Sequence, residues 1–339
     1  MKVYKLVTIL LVIVLLSGCS KKADMTAAEA ATTVSTTAAT EAAVVATEAT
    51  EPPVTIEPAL EAAALIEAPP PAVPVVLQPM ATGTARDTGA YSAIDYSHTE
   101  DGYVMVKYNE PCGVRLKVLV KGPSTTYSYN LTPEQWAVFP LSDGNGSYQV
   151  GIYENIVGNK YALVQSVSFH VELLDEFAPF LRPNQYVNYT DAAQTTQLGV
   201  ELTWGIEDPL EKVAAVYDYV VSNLTYDYDK AATVKSGYLP DLDLVLDAKT
   251  GICFDYAALM TAMLRSQEIP CKLVVGYAGS VYHAWISVWT EENGWIDGAI
   301  FFDGHVWKRM DPTFASSGGR SEEIMNFINS DNYTTKYLY

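Results

Sequence analysis

A long stretch that cannot form a hydrophobic core most constrains the fold of this chain of 339 residues. From Ser20 to about Thr88 the sequence consists largely of Ala, Thr, Glu, Val and Pro, and it contains no aromatic residue. A segment of this composition has little apolar surface to bury, so we expect residues 19–88 to form a disordered tether. The folded part is then confined to residues 89–339, which is long enough for two domains.

The first residues carry the pattern of a secretory leader. Lys2 and Lys5 precede an apolar run over residues 6–16 that is too short for an ordinary membrane-spanning helix. The motif that follows, Leu16-Ser17-Gly18-Cys19, resembles the bacterial lipobox, whose cysteine becomes the diacylated first residue of a lipoprotein. We therefore expect residues 1–18 to be a lipoprotein signal peptide. Lipidation of Cys19 would anchor the protein to the cell membrane on its extracytoplasmic side.

Charge and cysteine content exclude several classes of protein. The chain has 21 Lys and Arg against 40 Asp and Glu, a formal net charge of −19, so we expect no nucleic-acid partner. Its 4 cysteines are too few for a disulfide-built scaffold. No Cys-x-x-Cys, His-x-x-x-His or EF-hand pattern occurs, and the sequence predicts neither a metal nor a cofactor.

Residues 89–178 show the alternation of half-buried strands. Apolar side chains at Val114, Leu116, Val118 and Val120 share one face of such a strand, and polar residues occupy the positions between them. A similar run covers residues 167–173, and Gly- and Asn-rich turn signals lie between the runs. We predict a small all-β sandwich here, similar to Ig-like modules.

Residues 179–339 begin with helical patterns and continue with strand patterns. Asp208 followed by Pro209 is typical of a helix start, and a second helix is predicted from about Cys253 to Ser266. Strand-like runs follow at residues 272–277, 282–289, 295–302 and 306–314. Helices followed by strands indicate an α+β domain over residues 179–339.

Three residues of this second domain could carry out nucleophilic chemistry. Cys253 lies at the predicted helix start, where the unpaired N–H groups and the helix dipole favour a thiolate. His283 lies on a predicted strand, and Asp311 lies at the end of a later one. A thiol nucleophile needs a base to take its proton, and the imidazole needs a carboxylate to orient it. Cys, His and Asp can fill these roles.

Four motifs follow one another between residues 251 and 313. They are Gly251-Ile252-Cys253-Phe254-Asp255-Tyr256-Ala257, Ile269-Pro270 with Val275-Gly276-Tyr277, His283-Ala284-Trp285, and Asp311-Pro312-Thr313. In this order they resemble the transglutaminase-like domain of the papain-like Cys-His-Asp superfamily. The resemblance implies a core of helices packed on an antiparallel sheet, with the cysteine at a helix N-terminus.

The resemblance also implies a role for each site residue. Cys253 would be the nucleophile, His283 the general base and later the acid, and Asp311 the group that orients His283. The backbone N–H of Cys253 would contribute to an oxyanion hole, and Tyr226 is a candidate for the second donor or for lining the substrate. A longer insertion between Trp295 and Trp307 leaves Asp297 as a rival for the orienting role. The Asp-Pro-Thr context favours Asp311.

The function that this resemblance implies is that of a membrane-anchored, extracytoplasmic cysteine enzyme. It would act through a thioester on amide bonds of peptides or proteins in the cell envelope or outside the cell. Hydrolysis by a peptidase or amidase is favoured over cross-linking, since many compact bacterial members resemble hydrolases. The alternative is a non-catalytic cell-surface module in which the papain-like core and the Ig-like domain recognise peptides or glycans. The 23 Tyr against 9 Phe suit such contact surfaces.

Overall fold

The computed structural model describes residues 73–278, 280–296, 300–302, 307–309 and 333–339. Its first eight strands form two four-stranded antiparallel sheets, one in the order β1-β2-β3-β6 and the other in the order β5-β4-β7-β8. The strands are β1 (Arg86–Thr88), β2 (Ser92–Asp95), β3 (Tyr103–Tyr108), β4 (Leu116–Lys121), β5 (Thr126–Leu131), β6 (Ala137–Pro140), β7 (Gly146–Val157) and β8 (Lys160–Val171).

Side-chain alternation explains why these sheets pack into a sandwich. In β4 the side chains of Leu116, Val118 and Val120 are buried, whereas Lys117 between them is only partly covered. Ile94 and Val104 of the other sheet are fully buried in the same core. The predicted all-β sandwich is therefore confirmed.

The tether prediction is wrong for residues 73–88. Their backbone pairs with the folded part: Val75 N–H donates to the backbone oxygen of Ser266 (2.9 Å), and residues 86–88 form β1 beside β2. Asp95, which is almost fully buried, accepts hydrogen bonds from Gly83 N–H (2.8 Å) and from the Arg86 guanidinium. Polar contacts that composition cannot predict therefore order this segment. The rest of the tether lies outside the described residues.

The helices and short strands of the second part follow a 3₁₀ turn at Ala178–Phe180. The helices are α1 (Gln194–Thr203), α2 (Pro209–Asn223), α3 (Tyr228–Thr233), α4 (Leu242–Ala248) and α5 (Cys253–Arg265). Asp208 caps α2 as predicted, since its carboxylate accepts from Leu210 N–H (2.8 Å) and Glu211 N–H (3.0 Å). None of the helices in the described part of the chain is long and apolar enough to cross a membrane.

A third four-stranded antiparallel sheet supports these helices. It has the order β13-β12-β11-β16, with β11 (Cys271–Ala278), β12 (Val281–Thr290), β13 (Gly294–Ile296) and β16 (Tyr333–Leu338). Two further strand pairs are the parallel bridge of β9 (Thr225–Tyr226) with β10 (Thr250–Gly251), and the antiparallel pair of β14 (Ile300–Phe302) with β15 (Trp307–Arg309). Helices packed on an antiparallel sheet confirm the predicted α+β class.

Helix α5 is the centre of this part. It contacts α1, α2 and α4 as well as β11 and β12. Every residue from Asp255 to Arg265 is buried, not only the apolar stripe that the sequence predicts. A helix covered on all sides holds its first residue, Cys253, in a fixed position.

Aromatic side chains join the sandwich to the α+β part. The Tyr129 ring lies 5.6 Å from the Tyr186 ring and 5.8 Å from the Tyr339 ring, and the Tyr127 ring lies 5.8 Å from Tyr339. One continuous buried core runs from Ile94 to Tyr339. The division into two domains, residues 89–178 and residues 179–339, stays a prediction.

Candidate active site

Cys253 is the first residue of α5 and is partly buried. The chain reaches it from β10, which pairs with β9 so that Tyr226 lies beside Gly251. Asp227 N–H donates to the backbone oxygen of Gly251 (2.9 Å). Ile252, the N-cap residue, is extended with φ −97° and ψ 173°. The segment before the nucleophile is therefore held by backbone pairing.

The position of Cys253 suits an oxyanion-binding role. The first N–H groups of a helix have no acceptor within the helix, and they lie at the positive end of its dipole. A carbonyl oxygen that becomes negative beside the Cys253 sulphur would meet these donors.

His283 lies on β12, and only 5% of its surface is exposed. It is paired across the sheet with Gly276 of β11. A Cβ atom at Gly276 would lie 2.0 Å from the backbone oxygen of Thr334 on β16 and 2.8 Å from the Trp285 ring. A glycine is thus required where three strands meet around the candidate base.

Helix α5, which begins at Cys253, packs against β12, the strand that carries Tyr282 and His283. Burial raises the pKa of Tyr282, and smaller contributions in the same direction come from Tyr337, Tyr277 and the Cys253 thiol. Tyr282 immediately precedes His283 on the strand. The fold thus brings the helix that carries the nucleophile to the end of the strand that carries the base. Sequence reasoning missed Tyr282, although it adjoins the His-Ala-Trp motif.

The remaining predicted site residues differ in what the structure shows. Tyr226 is partly buried on β9, with its ring 4.9 Å from the Tyr228 ring. Its pairing with Gly251 places it at the edge of the site, and its role as a donor stays a prediction. The two candidate orienting carboxylates, Asp311 and Asp297, and the lipidation candidate Cys19 lie outside the described residues.

A polar cluster behind the first turn of α5 was not predicted from the sequence. Asp255 is fully buried, and its carboxylate accepts hydrogen bonds from Ile252 N–H (2.8 Å), the Lys230 ammonium (2.6 Å) and the Tyr238 hydroxyl (2.6 Å). The Lys230 ammonium also donates to the Tyr238 hydroxyl (2.7 Å). The Gly-Ile-Cys-Phe-Asp motif contains Asp255, but the sequence analysis gave this residue no role, and Lys230 and Tyr238 lie in segments without a periodic signal.

The cysteines differ sharply in their surroundings. Cys112, Cys253 and Cys271 are all free thiols. Cys271 is completely buried on β11, and burial raises its pKa to about 11. Cys112 and Cys253 are both partly exposed. Cys112 therefore offers a thiol of similar accessibility with which Cys253 can be compared.

Residues 196–298 match the family model of the transglutaminase-like superfamily. The chain carries a transglutaminase-like domain. The matched region runs from α1 past β13 and includes both Cys253 and His283. The sequence resemblance is confirmed over residues 251–298, whereas the Asp311-Pro312-Thr313 motif lies beyond the matched region.

Two curated proteins and two solved structures are similar to this chain. The uncharacterized protein YebA of Bacillus subtilis (strain 168) is 30% identical over 118 residues, and a protein-glutamine gamma-glutamyltransferase of Pseudomonas aeruginosa is 28% identical over 95 residues. These alignments cover 29% and 24% of this chain, and only 16% and 12% of the two relatives.

The two solved structures cover more of this chain than the curated relatives do, at lower sequence identity. A candidate cysteine protease from Cytophaga hutchinsonii has a TM-score of 0.36 at 15% identity, covering 70% of this chain and 76% of that one. Red sea bream transglutaminase has a TM-score of 0.30 at 13% identity, covering 68% of this chain and 54% of that one.

Proposed function

We propose that this protein is a cysteine enzyme that cleaves or transfers amide bonds of peptides or proteins through a thioester on Cys253. The observation that carries the proposal is the place of Cys253 at the N-terminus of a helix buried on all sides, next to the strand that bears His283. A fixed thiol among helix N–H donors is suited to acyl transfer. The match of residues 196–298 to the transglutaminase-like superfamily supports the same reaction class.

The proposed reaction proceeds in two halves. His283 takes the Cys253 proton, and the sulphur attacks the carbonyl carbon of the amide. The oxyanion is stabilised by the Cys253 N–H, with Tyr226 as the proposed second donor. The C–N bond then breaks, and His283 returns the proton to the departing nitrogen. The thioester left on Cys253 is attacked by water, which gives an acid, or by an amine, which gives a new amide. A carboxylate, Asp311 in our proposal, would hold the His283 ring.

We favour water as the acceptor. The Tyr282 side chain at the start of β12 is 56% exposed and Cys253 itself is partly exposed, which supports access of solvent to the thioester. The gamma-glutamyltransferase of Pseudomonas aeruginosa is named for transfer to an amine, and this is the competing outcome. We also propose, from the leader and lipobox alone, that the enzyme is lipid-anchored outside the cytoplasmic membrane and meets its substrates there.

Mass spectrometry of a cell-envelope peptide library can decide between these acceptors. The library is incubated with the parent protein, with Cys253→Ala and with the matched control Cys112→Ala. Hydrolysis adds one water at a cleaved amide, whereas cross-linking joins two peptides with loss of ammonia. We expect hydrolysis with the parent and Cys112→Ala, and no product with Cys253→Ala. Products of either kind with Cys253→Ala would contradict the thioester mechanism.

The alternative of a binding module rested on exposed tyrosines. The structure buries at least nine of them, at positions Tyr103, Tyr108, Tyr127, Tyr129, Tyr148, Tyr189, Tyr217, Tyr256 and Tyr339. Much of the tyrosine content therefore builds cores and the join between the two parts. No observation favours this alternative over catalysis, so we make no second proposal.

A further inference from the structure

We propose that Lys230, Tyr238 and Asp255 form a positioning cluster that fixes the first turn of α5 and balances the charge beside the Cys253 sulphur. The proposal rests on the proposed function, in which Cys253 is the nucleophile. Its residues come from α3, the α3–α4 connection and α5. None of the three is proposed to touch the substrate, so each would act through Cys253.

The Asp255 side chain holds the backbone just before Cys253. The Asp255 carboxylate accepts the Ile252 N–H at 2.8 Å, which ties the residue before Cys253 to the first turn of the helix. Gly251 packs against the same side chain, because a Cβ atom at Gly251 would lie only 2.8 Å from the Asp255 Cβ. The Asp255 side chain therefore contacts the two residues that immediately precede Cys253.

The Lys230 ammonium balances the charge of the buried Asp255 carboxylate. Asp255 is fully buried, and a carboxylate without partners would be costly at that place. A negative charge within one helical turn of Cys253 also opposes a thiolate there. The Lys230 ammonium, 2.6 Å from the Asp255 carboxylate, offsets that charge, while the Tyr238 hydroxyl occupies the second carboxylate oxygen at 2.6 Å. The cluster can thus hold the turn without adding a net negative charge beside the nucleophile.

Hydrogen bonds of Asp227 hold the segment that carries Lys230 next to Gly251. Asp227 caps α3 by accepting the Lys230 N–H at 2.8 Å, and it also donates its own N–H to Gly251. The side chain of Lys230 is 27% exposed, and its ammonium nitrogen lies 4.4 Å from the centre of the Tyr238 ring. Burial and the Asp255 carboxylate both raise the pKa of Tyr238, which keeps its hydroxyl protonated as a donor.

The test measures how pH controls the alkylation of Cys253 by iodoacetamide, followed by mass spectrometry of the Cys253 peptide. Lys230→Met leaves the carboxylate charge unbalanced, so we expect the pH midpoint of alkylation to rise by about half a unit to one unit. Asp255→Asn leaves the ammonium unbalanced, so the midpoint should fall by a similar amount. Lys230→Arg and Tyr238→Phe keep the charge and should leave the midpoint close to that of the parent.

Other ionisable groups near this turn are unchanged in every variant. They are Tyr226 and Asp227 at the β9 bridge, Lys249 at the end of α4, and Tyr282 and His283 on β12. The double variant Lys230→Met with Asp255→Asn removes both charges, and its midpoint should return toward that of the parent. A change in folding alone gives no reason for shifts of opposite sign.

The proposal is overturned if Lys230→Met and Asp255→Asn shift the midpoint in the same direction, or if Lys230→Met behaves like Lys230→Arg. The comparison of Lys230→Met with Lys230→Arg tests the proposal even where Asp255→Asn does not fold. Failure of the proposed function looks different: Cys253 of the parent would then be alkylated no faster than Cys112, whatever the variants show.

Discussion

Arg265 shows how much a single residue can do for this fold. Only 1% of its surface is exposed, and its guanidinium donates to the backbone oxygens of Cys271 (2.9 Å), Arg182 (2.7 Å) and Tyr339 (2.7 Å). Burial lowers the pKa of Arg265. The side chain thereby joins the end of α5 to β11, to the segment before α1 and to the residue after β16. No pattern in the sequence marks a charged residue as buried, so this role could not be predicted.

Replacing Arg265 should cost much more stability than replacing an exposed arginine. Arg265→Met removes three hydrogen bonds to backbone oxygens, two of them buried, and we expect it to lower the free energy of unfolding by about 3 kcal/mol. Arg115, which donates to the backbone oxygen of Gly158 at the surface, is the control. Arg115→Met should cost less than about 1 kcal/mol. Equal losses in urea denaturation would show that the buried bonds contribute little.

Some residues of the candidate site could be predicted from the sequence, and others could not. Cys253 and His283 were predicted because a thiol nucleophile and its base are chemically distinctive and lie within ordered motifs. Lys230 and Tyr238 were not, because their importance depends on a carboxylate that only the folded chain brings to them. The orienting role of Asp311 or Asp297 stays a prediction.

Among the elements, those with strong local signals were predicted well. The cap at Asp208 marked the start of α2, and alternation marked β4. Strand β16 was missed, because its residues Tyr333–Leu338 have no clear apolar alternation and pair with β11, far away in the chain. The tether prediction was wrong for residues 73–88 for a similar reason: their hydrogen bonds join them to distant residues such as Tyr103 and Ser266.

The close approach of β16 to β11 gives a test at the level of the sheet. Gly276 is the cross-strand partner of His283, and Gly276→Ala would force a Cβ atom against the backbone oxygen of Thr334. We expect it to lower the free energy of unfolding by about 2 kcal/mol or more, and to reduce activity. Gly113→Ala is the control, because nothing lies within 4 Å of a Cβ atom there. A stable and active Gly276→Ala variant would mean that β16 is not held against β11.

For the molecule as a whole, the sandwich and the α+β part share one core. The sequence predicted both architectures, but not the tyrosine cluster that joins them, because contacts between distant segments leave no local pattern. Tyr129 is fully buried and packs against Phe139 of the sandwich as well as Tyr186 and Tyr339. This continuity makes the sandwich part of the framework that supports the transglutaminase-like domain.

A shared core predicts a single unfolding transition. Calorimetry should show one peak, and Tyr129→Ala should move that whole peak to lower temperature, with a loss of about 3 kcal/mol or more. Tyr91 is 50% exposed, and Tyr91→Ala should leave the transition nearly unchanged. Two separate peaks, of which Tyr129→Ala moves only one, would show instead that the two parts unfold independently.

The central claim, that Cys253 is an activated nucleophile, is tested most directly by comparing its alkylation with that of the other free thiols. The folded protein is treated with iodoacetamide at neutral pH, and the modified peptides are quantified over time by mass spectrometry. We expect Cys253 to react at least about tenfold faster than Cys112, which is also partly exposed, because the Cys253 sulphur lies at the N-terminus of α5, at the positive end of the helix dipole. Cys271, completely buried, should remain unmodified. If Cys253 reacts no faster than Cys112, the claim is contradicted.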